Sequence, residues 1–165
     1  MKRIHIVGKK NAGKTTLLVE LIAHYTSLGY RVGSVKHAYH RHELDTPGKD
    51  SYRHRRAGAA VTAIVSPVLN AAFWAPDTTD PPDAIYDEIG RLFGRCDFVL
   101  VEGHSQIEGA KVEVWRASAS PTPLAAGDRS IMAVVTDDPL EAAVPVWSRS
   151  DVPRLAERLL ELIGM

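Results

Sequence analysis

The chain has 165 residues, 45% of them hydrophobic, and its 20 basic residues balance its 20 acidic residues. This length and composition favour one domain over residues 1–165, and the balanced charge provides no net field to attract nucleic acid or anionic lipid. No apolar run is long enough to cross a membrane, no secretory signal is visible, and the lone Cys96 excludes an internal disulfide. We therefore expect a cytoplasmic protein without nucleic acid or membrane partners.

A phosphate-binding pattern follows the first apolar stretch. Residues 4–7 predict a strand, and residues 8–15 match the P-loop pattern Gly-x-x-x-x-Gly-Lys-Thr. In such a loop the backbone N–H groups cradle phosphates, the lysine reaches the β- and γ-phosphates, and the hydroxyl binds Mg²⁺. We therefore predict a nucleoside triphosphate site in which Lys14 is also catalytic and Thr15 is also a metal ligand. The residues of this pattern that we assign to the nucleotide are Gly8, Asn11, Ala12, Gly13, Lys14 and Thr15.

Apolar periodicity predicts the elements that follow. A helix begins after the P-loop and ends at Gly29, and a strand over residues 30–36 completes a strand-helix-strand unit that favours a parallel sheet. Runs at 61–65 and 70–74, joined across Ser66 and Pro67, predict a hairpin. A helix is predicted over 84–93, strands over 98–103, 111–116, 131–136 and 144–147, and a closing helix after Asp151. The predicted fold class is α/β, a P-loop NTPase-like, mostly parallel sheet flanked by helices, with a β-hairpin extension.

Two of these strands lead into carboxylates. The strand over 98–103 is continuously apolar before Glu102, as is typical of a buried central strand that delivers an acid to its carboxyl end near Mg²⁺. We therefore predict Glu102 as a catalytic and metal-side acid. Asp137 follows the strand over 131–136. In one interpretation its carboxylate accepts hydrogen bonds from the N1–H and 2-amino group of guanine, and in the other it is a plain turn residue before Pro139. Both interpretations of Asp137 stay open.

The segment over residues 36–56 is too charged to be core and is predicted as a polar loop. Its cations suit a phosphorylated ligand or an acidic protein surface, and they are Lys36, Lys49, Arg53, Arg55 and Arg56. Three histidines, His37, His40 and His42, crowd the same loop, and imidazole is a common metal ligand. The loop is therefore predicted to contact phosphate or pterin, with a metal site as the alternative.

Several further motifs accompany the P-loop. A Lys-His pair follows the second strand, Asp-x-Pro-Gly-Lys-Asp-Ser-Tyr-Arg occupies 45–53, Ala-Gly-Ala-Ala occupies 57–60, and Val-Glu-Gly occupies 101–103. With these motifs the chain resembles the MobB family of molybdopterin-guanine dinucleotide biosynthesis adapter proteins from about residue 3 to Arg116. The resemblance implies a GTP-binding protein, usually a homodimer, that hydrolyses GTP weakly. It also implies a role in assisting the molybdenum cofactor guanylyltransferase, which attaches GMP to molybdopterin.

The resemblance also implies roles for individual residues. It implies Gly13, Lys14, Thr15 and Thr16 as nucleotide ligands and Asp45 and Glu102 as acids beside Mg²⁺. It also marks Lys49, Asp50 and Arg53 as signature residues of the family, and we assign these three to the nucleotide site. The chain departs from the family at His104-Ser105, where members often read Phe-Lys. Two other classes remain compatible with the residues. They are a small-molecule kinase using the arginines of 53–56 and a metal-insertion GTPase using the histidine loop.

Overall fold

The computed structural model describes residues 1–38 and 43–165. The chain divides into two compact units, one formed by Met1–Ala38 with Tyr86–Met165 and the other by Tyr39–Ile85. The expectation of a single domain stays a prediction. None of the helices in the described ranges has the length and apolar content that spanning a bilayer requires.

The first unit is built on a six-stranded sheet in which every pairing is parallel. The strands of the described chain are β1 (Arg3–Val7), β2 (Val32–Lys36), β3 (Val61–Ile64), β4 (Ala71–Trp74), β5 (Phe98–Glu102), β6 (Ala110–Val114), β7 (Ile131–Val135) and β8 (Val146–Trp147). The sheet order is β2-β5-β1-β6-β7-β8. Because β1 lies between β5 and β6, the carboxyl ends of all three strands meet at one edge.

The helices of the described chain are α1 (Lys14–Ser27), α2 (Asp50–Arg56), α3 (Ala84–Glu88) and α4 (Val152–Leu162), with 3-10 helices at Ile89–Phe93 and Leu124–Ala126. Asp151 caps α4, as predicted, by accepting a hydrogen bond from the Arg154 amide at 3.1 Å. In the second unit, β3 and β4 pair antiparallel as the predicted hairpin. The predicted α/β fold is confirmed.

Alternation along β1 separates the two faces of the sheet. Ile4 and Ile6 are fully buried in the core cluster that includes α1 and α4. His5 points to the opposite face, where its ring lies edge-on to Tyr86 of α3, with the centroids 5.8 Å apart. The two longer helices therefore cover one face, and burial of His5 on the other face lowers its pKa to about 4.

Three elements differ from the sequence predictions. The helix predicted over 84–93 is α-helical only through Glu88 and continues as a 3-10 helix that contains Gly90, a poor helix former. The segment predicted as a polar loop contains α2, which has no buried residue and therefore no apolar period to reveal it. The strand β6 alternates polar and apolar residues in sequence, yet it is buried on both faces. The Glu113 carboxylate can be buried because it accepts hydrogen bonds from the amides of Leu124 and Ala125.

Candidate functional site

The P-loop connects β1 to α1 at the carboxyl edge of the sheet. Gly8 and Gly13 have φ angles of 140° and 99°, which only glycine adopts readily. A Cβ atom on Gly8 would also collide with the backbone carbonyl of Val114. Glycine at this position therefore allows the end of β6 to lie against the start of the loop.

The Lys14 ammonium group folds back over this loop. Its Nζ atom donates hydrogen bonds to the carbonyl oxygens of Gly8 at 2.8 Å and Lys9 at 2.7 Å. Burial lowers the pKa of Lys14, and the charge of Glu102 opposes that shift. The cation is thereby held against the carbonyl oxygens at the start of the loop.

Glu102 ends β5 beside the loop, at the edge the sequence predicted. Its backbone pairs with Ile6 of β1, which brings the carboxylate next to the first turn of α1. The Thr15 hydroxyl donates a hydrogen bond to Glu102 Oε1 at 2.6 Å. Two hard oxygen ligands of the kind that Mg²⁺ prefers therefore lie side by side.

A cavity of about 570 Å³ joins these groups. Seven predicted site residues line it, namely Asn11, Gly13, Lys14, Thr15, Thr16, Lys36 and Glu102. Gly8 contributes its carbonyl to Lys14 instead, and Ala12 is buried, with its amide donating to the Lys9 carbonyl at 3.3 Å. The structure therefore brings together most of the predicted nucleotide residues of the first unit, while their ligand roles stay predictions.

Two lining residues escaped the sequence analysis, Lys10 and Arg116. Lys10 occupies a variable position of the P-loop pattern and carries no signal of its own. Arg116 follows β6, whose carboxyl end lies at the same edge as the ends of β1 and β5. The rule that ligands bind at the carboxyl ends of parallel strands was the signal that could have identified Arg116.

Asp137 lines a neighbouring cavity of about 330 Å³ between the ends of β6, β7 and β8. Its Oδ1 atom accepts hydrogen bonds from the Ser148 hydroxyl at 2.7 Å and from the Arg149 amide at 2.8 Å. The Ser148 hydrogen bond, and the backbone amides of Arg149 and Ser150, hold the pKa of Asp137 below its usual range. Asp137 therefore organises the loop after β8, and its guanine-reading role stays a prediction.

Four predicted site residues belong to the second unit. Asp45 is buried, and its Oδ1 atom accepts hydrogen bonds from the Thr46 amide at 2.8 Å and the Ser51 hydroxyl at 3.0 Å. The other three lie at the start of α2, where Lys49 precedes the helix and Arg53 Nη1 lies 3.7 Å from Asp50 Oδ1 in an exposed ion pair. The metal role of Asp45 and the ligand roles of Lys49, Asp50 and Arg53 stay predictions.

The histidine loop is described only in part. His40 and His42 lie outside the described residues, whereas the His37 ring stacks on His104 with 4.0 Å between centroids. The Tyr86 hydroxyl shares a hydrogen bond of 2.9 Å with His104 Nδ1, and burial lowers the pKa of His37. The described ranges contain no cluster of three or more His, Cys, Asp or Glu residues able to hold a metal ion. The metal-site alternative therefore depends on residues outside those ranges.

Comparisons with known proteins agree with this arrangement. Residues 3–137 match the family described as "Molybdopterin guanine dinucleotide synthesis protein B", MobB. A molybdopterin-guanine dinucleotide biosynthesis adapter protein of Escherichia coli (strain K12) is 37% identical over 157 residues, covering 90% of this chain and 86% of that protein. The protein of the same name from Haemophilus influenzae is 33% identical over 154 residues, covering 92% and 84%.

Solved structures show the same fold over nearly the whole chain. A molybdopterin-guanine biosynthesis protein B superposes with a TM-score of 0.73 at 27% identity, covering 99% of both chains. A MobB homologue from Bacillus stearothermophilus superposes with a TM-score of 0.66 at 28% identity, covering 98% of this chain and 99% of its own. The family match also extends beyond Arg116, where the sequence resemblance ended, as far as Asp137. The chain belongs to the MobB family.

Proposed function

We propose that this protein binds GTP with Mg²⁺ at its P-loop and acts as an accessory protein in the attachment of GMP to molybdopterin. The observation that carries the proposal is the convergence of Lys14, Thr15 and Glu102 on one cavity at the carboxyl edge of the sheet. Family relatives bear the name of an adapter protein for molybdopterin-guanine dinucleotide biosynthesis, which supplies the pathway. The partner is then a molybdenum cofactor guanylyltransferase, with molybdopterin as a further ligand of the complex.

The P-loop provides the phosphate site. Backbone amides at the start of α1 and the positive end of its dipole favour an anion there. Lys14 satisfies its ammonium group with the two loop carbonyls of Gly8 and Lys9, and phosphate oxygens are stronger acceptors because they are charged. Binding of a triphosphate therefore draws Lys14 from these carbonyls to the β- and γ-phosphates.

The oxygen atoms at the end of β5 fit a magnesium ion. Thr15 and Glu102 supply a hydroxyl and a carboxylate, and Mg²⁺ is commonly held by one or two such groups together with substrate phosphates and water. When bound, the ion neutralises charge on the phosphates. Glu102 is the single carboxylate among the described residues that line the cavity, and it already accepts from Thr15. With no second acid among these described lining residues to orient a water molecule, we expect GTP hydrolysis to be slow.

The neighbouring cavity suits the base. An aspartate is ordinarily ionised at neutral pH, and the hydrogen bonds to Asp137 lower its pKa further, so its carboxylate is an acceptor only. Guanine offers the N1–H and 2-amino donors that adenine lacks, and a site built for such donors discriminates strongly between the two bases. We therefore assign the preference for GTP over ATP to Asp137.

The hairpin of the second unit supports a homodimer. Valine and leucine side chains of this segment are exposed, including Val61, Val65, Val68 and Leu69. Exposed apolar groups beside an unpaired strand edge favour association with another chain. We propose that a second copy of the chain covers these side chains in a homodimer. The cytoplasmic location expected from the sequence stays a prediction.

Calorimetric titration with GTP, ATP and their non-hydrolysable analogues in Mg²⁺ tests the nucleotide site. We expect GTP to bind in preference to ATP with slow turnover, and Lys14→Ala to abolish binding. Arg129→Ala removes one exposed positive charge just before β7, at the opposite edge of the sheet, and should bind normally. The guanylyltransferase reaction, followed with and without this protein, then tests the accessory role. A preference for ATP would exclude the proposal and favour the kinase alternative.

A further inference from the structure

Arg116 is brought to the P-loop by the register of the sheet. Val7 at the end of β1 pairs with Glu113 of β6, and Gly8 lies against the carbonyl of Val114. The chain leaves β6 at this point, so Arg116 emerges beside the loop. The backbone there forms a hydrogen-bonded turn, in which the Arg116 carbonyl accepts hydrogen bonds from the amides of Ala119 at 3.0 Å and Ser120 at 3.2 Å.

The guanidinium group lies over the last glycine of the P-loop. Its Nη2, Cζ and Nε atoms stand 3.3, 3.5 and 3.6 Å from the position that a Cβ atom on Gly13 would occupy. Gly13 immediately precedes α1, where the backbone amides that bind phosphate converge. The absence of a side chain on Gly13 therefore leaves room for Arg116 beside the phosphate position.

The charge of Arg116 has no carboxylate partner within the described residues. Two other arginines of the first unit do have one, since Arg149 pairs with Glu20 at 2.7 Å and Arg154 pairs with Glu157 at 2.6 Å. A guanidinium group presents a planar set of donors that matches two oxygen atoms of a phosphate. An unpaired guanidinium at a phosphate-binding loop is therefore suited to an anionic ligand.

Within the described chain, Arg116 is the one residue that lines both the P-loop cavity and the cavity of Asp137. Thr15 and Glu102 mark the metal side of the first cavity, whereas Arg116 faces Gly13 at its junction with the second. A nucleotide that places its γ-phosphate near the metal side and its base near Asp137 has its α- and β-phosphates at that junction.

We infer that Arg116 is a phosphate clamp that binds oxygen atoms of the α- and β-phosphates of the guanine nucleotide. The inference rests on the proposed nucleotide site and extends it to a residue outside the P-loop. Such a clamp holds GDP and GTP alike, because both carry these two phosphates. It differs from an arginine that acts on the γ-phosphate, which would raise the rate of hydrolysis without holding GDP.

The test compares the affinities of GTP, GDP and GMP for the wild-type protein, Arg116→Ala and Arg116→Lys by calorimetry. We expect Arg116→Ala to lower the affinities for GTP and GDP by the same factor, about tenfold, and the affinities of Arg116→Lys to fall between those of Arg116→Ala and the wild type. The affinity for GMP, which lacks the β-phosphate, should fall by a smaller factor. Raising the salt concentration should weaken nucleotide binding by the wild-type protein more than binding by Arg116→Ala, because salt screens the ionic contact that Arg116 makes.

Arg129→Ala is the matched control and should leave all three affinities unchanged. The melting temperature of each variant in the absence of nucleotide shows whether it folds, and the exposed Arg116 side chain should not affect it. Equal affinities of Arg116→Ala and the wild type for GDP would overturn the inference, as would a loss confined to GTP or to the hydrolysis rate. Failure of the wild-type protein itself to bind GTP would instead refute the proposed function.

Discussion

The hydrogen bond between Thr15 and Glu102 gives a quantitative test of the site, by a double-mutant cycle of Thr15→Val and Glu102→Gln. At 2.6 Å it joins a hydroxyl to a carboxylate, and such bonds contribute about 1.5–3 kcal/mol. The pair is open to water, so we expect a coupling energy of about 1 kcal/mol in the free energy of unfolding. For a chain of this length that corresponds to a change of about 2–4 °C in melting temperature.

The same two oxygen atoms should determine the response to Mg²⁺. Calorimetry of GTP binding in Mg²⁺ and in EDTA measures the gain in affinity that the ion provides. Each single variant should lose about tenfold of that gain, and the double variant should lose little more, because both groups serve one ion. In EDTA, Glu102→Gln should bind GTP at least as well as the wild type, since a negative charge has been removed from beside the phosphates.

Glu161→Gln provides the control, because it removes an exposed carboxylate in the last turn of α4, outside the lining of the P-loop cavity. Its Mg²⁺ dependence should equal that of the wild type. The reasoning would be refuted if Glu102→Gln kept the full Mg²⁺ effect, or if the losses from the two single variants simply added.

Three further predictions follow from individual side chains. Burial lowers the pKa of Lys14, whereas the charge of Glu102 raises it. GTP binding needs the ammonium form of Lys14, so GTP affinity should fall with rising pH, and the fall should begin at a lower pH in Glu102→Gln. Calorimetric titrations at increasing pH measure this effect, and identical pH profiles of the variant and the wild type would contradict it. Asp137→Asn keeps an acceptor for the loop but introduces a donor, so it should reduce the preference for GTP over ATP in competition assays, and an unchanged ratio would remove Asp137 as the base reader. The buried Tyr25 hydroxyl donates a hydrogen bond to a backbone carbonyl of α4 at 2.8 Å, so Tyr25→Phe should lower the free energy of unfolding in urea by about 1 kcal/mol. Tyr30→Phe should change it little, because the Tyr30 hydroxyl makes no hydrogen bond to any residue that the structure describes.

Local signals were sufficient for the P-loop and for most elements of the first unit. The glycines of the loop are required by its backbone angles, and β1, α1 and β5 carry the apolar patterns of their burial. These features depend on residues close together in sequence, where steric and hydrophobic preferences act directly. The placement of Glu102 at the carboxyl end of a central strand followed from the same pattern.

Other features depend on partners that are distant in the chain. The helix α2 was missed because it buries no side chain, and Lys111 and Glu113 of β6 are buried because Ser130 and the amides at 124–125 satisfy them. Neither arrangement is visible in a pattern of apolar residues. Each polar group is acceptable inside the protein only because a specific partner pays for its desolvation.

The sequence by itself determined the class of fold, the P-loop sequence pattern and the family signature, because these depend on short motifs and on the periodicity of apolar residues. The tertiary structure decided which groups share the cavity: Thr15 and Glu102 are 87 residues apart and meet because β5 pairs with β1. It also decided that Arg116 lies over Gly13, because β6 flanks β1 on the other side. Strand order is set by the packing of the whole sheet, and no local segment of the chain encodes it.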